Sequence, residues 1–232
     1  MRLDKLLSEC GIASRKESAK AVRAGLVLVN SVPAKRADMQ VDPEKDIVLY
    51  DSRRVVWREF VYLMLNKPDG YVSATEDTKD PVVTELLPEE YRKMGLFPCG
   101  RLDKHTLGLM LLTNDGQLSH RLLSPRRHVT KSYAFRVKFP ISQADVVQLQ
   151  EGVDIGGYFT KPCIVEMIGE REGIISITEG KYHQIKLMME AVHNQITYLE
   201  RRSFGPLTLD PHLCRGDWRE LSPEEIEALR QA

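Results

Sequence analysis

Leu3, Leu6, Leu7 and Cys10 recur at i, i+3, i+4 and i+7, the spacing of one face of a short helix. Gly11 ends it. Ser14 followed by Glu17 is a capping-box pair that opens a second helix to about Ala24, closed by Gly25. At about 100° per residue, Arg15, Lys16, Lys20 and Arg23 share one face of that helix, with Ser18, Ala21 and Val22 opposite. Residues 26–29 read as a strand, Asn30-Ser31 as a turn and 32–35 as a return strand, with 47–50 a candidate for a further pairing. Composition turns from charged to apolar near residue 61, which puts a linker at about residues 51–59. The predicted domains are 1–58 and 59–232.

The second domain reads as α+β with strands in excess. Residues 60–65 form a strand stopped by the turn cluster 66–70. Residues 107–113 are a continuous apolar run bounded by Asn114-Asp115-Gly116, which fits a buried strand. Residues 117–123 give one or two helical turns, and 132–138 alternate as a strand. Ser142 caps a helix over 144–150. Residues 163–168 and 173–177 are neighbouring strands, and 183–191 a helix with Ile185, Met188, Met189 and Val192 on its apolar side. Turns of hairpin type predict a mixed, mostly antiparallel sheet flanked by helices.

Composition narrows the possibilities. The 232 residues carry 33 Lys/Arg and 33 Asp/Glu, so the chain is not a nonspecific polycation. The neutral total conceals local patches. Residues 1–37 hold eight Lys/Arg against three acids, and 120–138 hold six Lys/Arg and no acid. A basic helix face beside a small hairpin suits a phosphate backbone. The four cysteines are dispersed, which argues against a disulfide framework or zinc site. No apolar run is long enough to span a bilayer and no signal-peptide pattern opens the chain, so the cytoplasm is expected and a membrane is not.

Dinucleotide and P-loop glycine motifs, HExxH and GxSxG are all missing. That leaves carboxylate chemistry without cofactor or metal, or no chemistry. The candidate carboxylate is Asp103 in Gly100-Arg101-Leu102-Asp103, ahead of the buried strand. Arg101 is a nearby cation for a phosphate. Taken alone, such an Asp is more often a turn former or cap. A glycosidase would need a second acid near Asp103, and the closest in sequence, Asp115, belongs to the far end of the strand.

Longer motifs decide between these readings. Residues 2–6, Ser14-Arg15 and Val27-Leu28-Val29-Asn30 together resemble the αL RNA-binding domain of ribosomal-protein type. Gly100-Arg101-Leu102-Asp103-x-x-Thr106-x-Gly108-Leu109-x-Leu111-Leu112-Thr113-Asn114-Asp115-Gly116 closely resembles the signature of the RsuA-like pseudouridine synthases of ribosomal RNA. Asn66-Lys67-Pro68-x-Gly70, Lys131-Ser132-Tyr133, residues 179–186 and Leu199-x-Arg201-x-x-x-Gly205 agree in the expected order. Leu187 departs from the family, where a second basic residue often follows Lys186.

The resemblance implies that Asp103 is the catalytic carboxylate and Lys186 its basic partner. Tyr133 would stack on an extruded base, and Arg101 would hold the flipped nucleotide. Lys67, Arg121, Arg126, Arg127, Lys131 and Arg201 are expected to contact the RNA backbone, together with Arg15, Lys16, Lys20 and Arg23. His183 and Gln184 would support the cleft. The implied substrate is a small-subunit rRNA uridine within a partly assembled ribosomal subunit, with the enzyme a monomer. The alternatives are a large-subunit rRNA target, or a non-catalytic ribosome assembly factor.

Overall fold

The computed structural model describes all 232 residues. Two compact units divide the chain: Met1–Val61 with Thr84–Phe97, and Tyr62–Val83 with Pro98–Ala232. The change of unit thus falls just after the expected boundary, and residues 84–97 join the first unit.

In the first unit, α1 (Leu3–Glu9) and α2 (Arg15–Arg23) precede a four-stranded antiparallel sheet. Its strands β1 (Val27–Val29), β2 (Val32–Pro33), β3 (Val48–Tyr50) and β4 (Arg53–Arg54) run in the order β2-β1-β3-β4. The Ser14 hydroxyl accepts from the Glu17 amide and the Glu17 carboxylate from the Ser14 amide, so the capping box is complete. Asn30 and Ser31 both have positive φ (51° and 67°), as a two-residue hairpin turn requires. Asp51 and Ser52, expected in the linker, form a second such turn between β3 and β4. Leu3, Leu6, Leu7, Val22, Val27 and Val48 build the core. The segment 84–97 adds α3 (Glu89–Lys93). Gly11, at φ +70°, is required where the Glu90 carbonyl comes so close that a Cβ would overlap it.

The second unit is a nine-stranded mixed sheet with the order β13-β5-β7-β11-β8-β10-β9, to which β12 and β6 attach at β11 and β7. The strands are β5 (Tyr62–Lys67), β6 (Phe97–Pro98), β7 (Leu107–Thr113), β8 (Lys131–Val137), β9 (Ile164–Met167), β10 (Glu172–Ile177), β11 (Ile196–Phe204), β12 (Leu207–Thr208) and β13 (Trp218–Glu220). Along the main path only β7 and β11 run parallel. Every residue of β5 is buried, as are six of the seven in β7, which explains their continuous apolar runs. Each buried Leu or Met there contributes about 1.5–3 kcal/mol. The helices are α4 (Gly116–Leu123), α5 (Gln143–Glu151), α6 (Gln184–Ala191) and α7 (Pro223–Gln231). No helix is long and apolar enough to cross a membrane.

The hydrophobic pattern gives no sign of β11, because Glu200-Arg201-Arg202 interrupts it. Two of these charges are nevertheless buried. Glu200 pairs with Arg202 (2.8 Å) and Arg215 (2.6 Å) and accepts from the Tyr198 hydroxyl, so its desolvation is offset by three partners.

Candidate active site

Asp103 lies in the loop between β6 and β7, and that loop is pinned from several sides. The Ser73 hydroxyl accepts from the Leu102 amide (2.9 Å) and donates to the Leu102 carbonyl (2.7 Å). The Thr106 amide closes a turn on the Asp103 carbonyl. Lys67, at the end of β5, donates to the carbonyls of Pro68, Lys104 and Thr106 (2.9–3.1 Å). Three backbone partners make this buried ammonium tolerable. Burial still pushes its pKa down from 10.5 to about 8.

Against this loop stands the start of α6. The Lys186 ammonium is 2.6 Å from Asp103 Oδ2, and His183 Nε2 is 3.6 Å from Oδ1. The Asp103 and Lys186 side chains are each 27% exposed, so the pair is partly shielded and its charge-assisted bond is stronger than a surface pair. His183 caps α6 in the left-handed region, φ 51°. The following Gln184 accepts from the Lys181 amide and donates to Glu179, which in turn accepts from the Lys161 amide and the Tyr158 hydroxyl. One carboxylate thus fastens the loop before α6 to the loop before β9.

Asp103, Lys186, Tyr133 and Arg101 line one cavity of about 500 Å³. That volume lies within the range of small-ligand sites. Tyr133 is buried in β8, opposite Arg201 of β11 and Ile175 of β10, while Arg101 is exposed at the rim.

The cations divide by depth. Arg15, Lys16, Lys20 and Arg23 are exposed on α2, with Ser18, Ala21 and Val22 buried behind them. Arg126 and Arg127 are exposed in the turn after α4. Arg121, in the last turn of α4, is only partly exposed, and its Nε is buried without a partner. Lys67 and Arg201, expected as RNA-backbone contacts, are instead 0% and 1% exposed. Arg201 donates through Nε to the Leu109 carbonyl at 2.7 Å and lies over the Phe204 ring. It ties β11 to β7 from the cavity wall, just as Lys67 ties down the Asp103 loop. Lys131 donates to the Val129 carbonyl and lines the cavity, where burial lowers its pKa to about 8.

Sequence reasoning missed Ser73 and gave His183 only a supporting part. Ser73 has no sequence signal that would place it on the Asp103 loop. The other conceivable acid, Asp115, is occupied elsewhere: it caps α4 by accepting from the Leu118 amide and binds the Tyr62 hydroxyl. No group of three His, Cys, Asp or Glu side chains is arranged to hold a metal ion.

A basic helical module and a sheet domain with an Asp–Lys pair in a base-sized cavity are features of an RNA-modifying enzyme. Comparison with known proteins specifies it. Residues 61–191 match the family described as RNA pseudouridylate synthase, and residues 1–48 match the S4 domain. The chain is 49% identical to an uncharacterized RNA pseudouridine synthase of Bacillus subtilis, over all of this chain and 99% of that one. It is 37% identical to ribosomal small subunit pseudouridine synthase A of Escherichia coli, over 99% of this chain and 100% of that one. A crystal structure of a pseudouridylate synthase, 35% identical, superposes with a TM-score of 0.70 over 99% of both chains. The chain belongs to the RNA pseudouridylate synthase family, in its RsuA-like branch with an N-terminal S4 domain.

Proposed function

We propose that this enzyme isomerises one uridine of small-subunit ribosomal RNA, using Asp103 on a nucleotide flipped into the cavity. The observation that carries the chemistry is the 2.6 Å Lys186–Asp103 pair lining the same cavity as Tyr133. The choice of RNA is supported by the relatives named as small-subunit enzymes, which align along nearly the whole chain.

Isomerisation breaks the N1–C1′ bond of uridine, turns the base and forms a C5–C1′ bond. The proton lost at C5 is matched by one gained at N1, so no oxidant or reductant is consumed. The base must leave its stack to be reached. The Tyr133 ring offers it a new face. Asp103 Oδ2 is committed to Lys186, whereas Oδ1 has His183 beyond hydrogen-bond range and is the oxygen left to act on the nucleoside. Arg101, exposed at the rim, holds the phosphate of the flipped nucleotide. Arg126, Arg127 and the basic face of α2 supply backbone contacts.

Pseudouridine mapping tests this reading. Unmodified small- and large-subunit rRNAs, bare and partly assembled, are incubated with the wild type and with Asp103→Asn. A carbodiimide adduct and primer extension then locate the product. One site in small-subunit rRNA is expected, present with the wild type and missing with Asp103→Asn, while RNA affinity barely changes. A site in large-subunit rRNA would replace the proposed target. No Asp103-dependent site on any RNA, with binding retained, would turn the reading towards an assembly factor.

A further inference from the structure

Tyr182 stands at the mouth of the cavity with its side chain in solvent. It is 74% exposed, the highest value among the large apolar and aromatic side chains left outside the core. Such exposure contributes nothing to folding. Yet the ring is held in place. Its centroid lies 3.9 Å from that of His183, with the planes 17° apart, a close parallel overlap. His183 is fixed beneath it by the Leu187 amide on its carbonyl and by the α6 start, and its edge points at Asp103. The loop carrying both rings is cross-braced by Gln184 and Glu179. The result is a two-ring stack that begins beside the catalytic carboxylate and ends in a free aromatic face. Lys161 and Lys181 line the same cavity and provide cations for a phosphodiester there.

Flipping a uridine leaves its neighbour in the strand without a stacking partner. We infer that the outer face of Tyr182 takes up the base adjacent to the target uridine, with His183 as the ring behind it. This rests on the pseudouridine synthase reading above and extends it to the flanking nucleotide. Because purines present the larger π-face, the site favours a purine as that neighbour.

The test uses the full-length protein and a short RNA spanning the mapped uridine. 2-Aminopurine replaces the nucleotide on its 5′ side in one probe and on its 3′ side in another. One of the two probes should be quenched on binding to the wild type and to Tyr182→Phe, but not to Tyr182→Ala. Affinity should fall about 5- to 150-fold in Tyr182→Ala, the loss of one base–aromatic stack. KM should rise by a similar factor while kcat is nearly kept, and the melting temperature should not move, since the ring is outside the core. Wild-type isomerisation with Tyr182→Ala equal to it in quenching and KM would overturn the stacking role alone. Failure of the wild type to isomerise any RNA would overturn both readings.

Discussion

Lys67 shows what a charge does when the fold takes it out of water. Its ammonium bridges three carbonyls, two of them in the Asp103 loop, and desolvation lowers its pKa to about 8. Between pH 8 and 10.5 the unfolded chain therefore holds a proton that the folded chain has released. The penalty for burying the charge is full below pH 8 and fades as pH rises to 10.5. Cys10 and Cys163, raised to about 11 by burial, and Tyr62, raised to about 12, work in the opposite sense. The wild type's own pH profile mixes these terms, so the informative quantity is its difference from Lys67→Met. Urea unfolding from pH 7 to 10.5 should show the wild type gaining on the variant with rising pH, by about 3 kcal/mol at most. A flat difference would mean that Lys67 is not desolvated. The variant should also lose kcat, because the Asp103 loop loses its clamp. At this scale the motifs singled out Asp103 and Lys186, which the fold brings to 2.6 Å although 83 residues separate them. It was misleading for Lys67 and Arg201, because a sequence shows that a side chain is charged but not how deep it lies.

Among the elements, the parallel contact of β7 with β11 matters most to the site, since Asp103 enters at one end of β7 and Arg201 braces it from β11. Gly108 makes the contact possible. It sits at φ +97°, and a Cβ there would overlap the Arg201 carbonyl and the Glu200 side chain. Gly108→Ala combines a strained backbone with overpacking and should cost about 2–6 kcal/mol, measured by chemical denaturation. Near-neutral stability would show that the strands can separate without loss. Apolar β7 and the capped helices α2 and α5 were readable, because burial pattern and capping are local properties. Strand β11 was not. Its charged centre is compensated by Arg215 and by the Leu109 carbonyl of β7, and that compensation is a property of the assembled sheet. The short strand β13 and helix α7 lie in an acidic tail whose pattern did not announce them.

For the whole molecule, a net charge of zero hides an uneven placement of charge. The four α2 cations are exposed and belong to the first unit, whereas the Asp103 cavity belongs entirely to the second. Replacing Arg15, Lys16, Lys20 and Arg23 by Gln keeps helix propensity and removes four positive charges. The slope of log K against log salt for RNA binding should flatten by about 3 if each meets a phosphate of single-stranded character. An unchanged slope would remove α2 from the docking surface. The two-part organisation was visible in composition. The return of residues 84–97 to the first unit was not, because nothing in their pattern marks them as belonging upstream.

That return sets a timetable for biosynthesis. When residue 61 leaves the ribosome, the first unit still lacks α3 and the Glu90 carbonyl against which Gly11 rests. Its hydrophobic core is complete by residue 57, but the α3 segment is made only by residue 97, after β5 of the other unit. At roughly 5–20 residues per second the delay is on the order of seconds. The RNA-docking unit is therefore not a bead threaded ahead of the enzyme. A graft of it onto another chain keeps the Glu90 contact at Gly11 only if residues 84–97 come along.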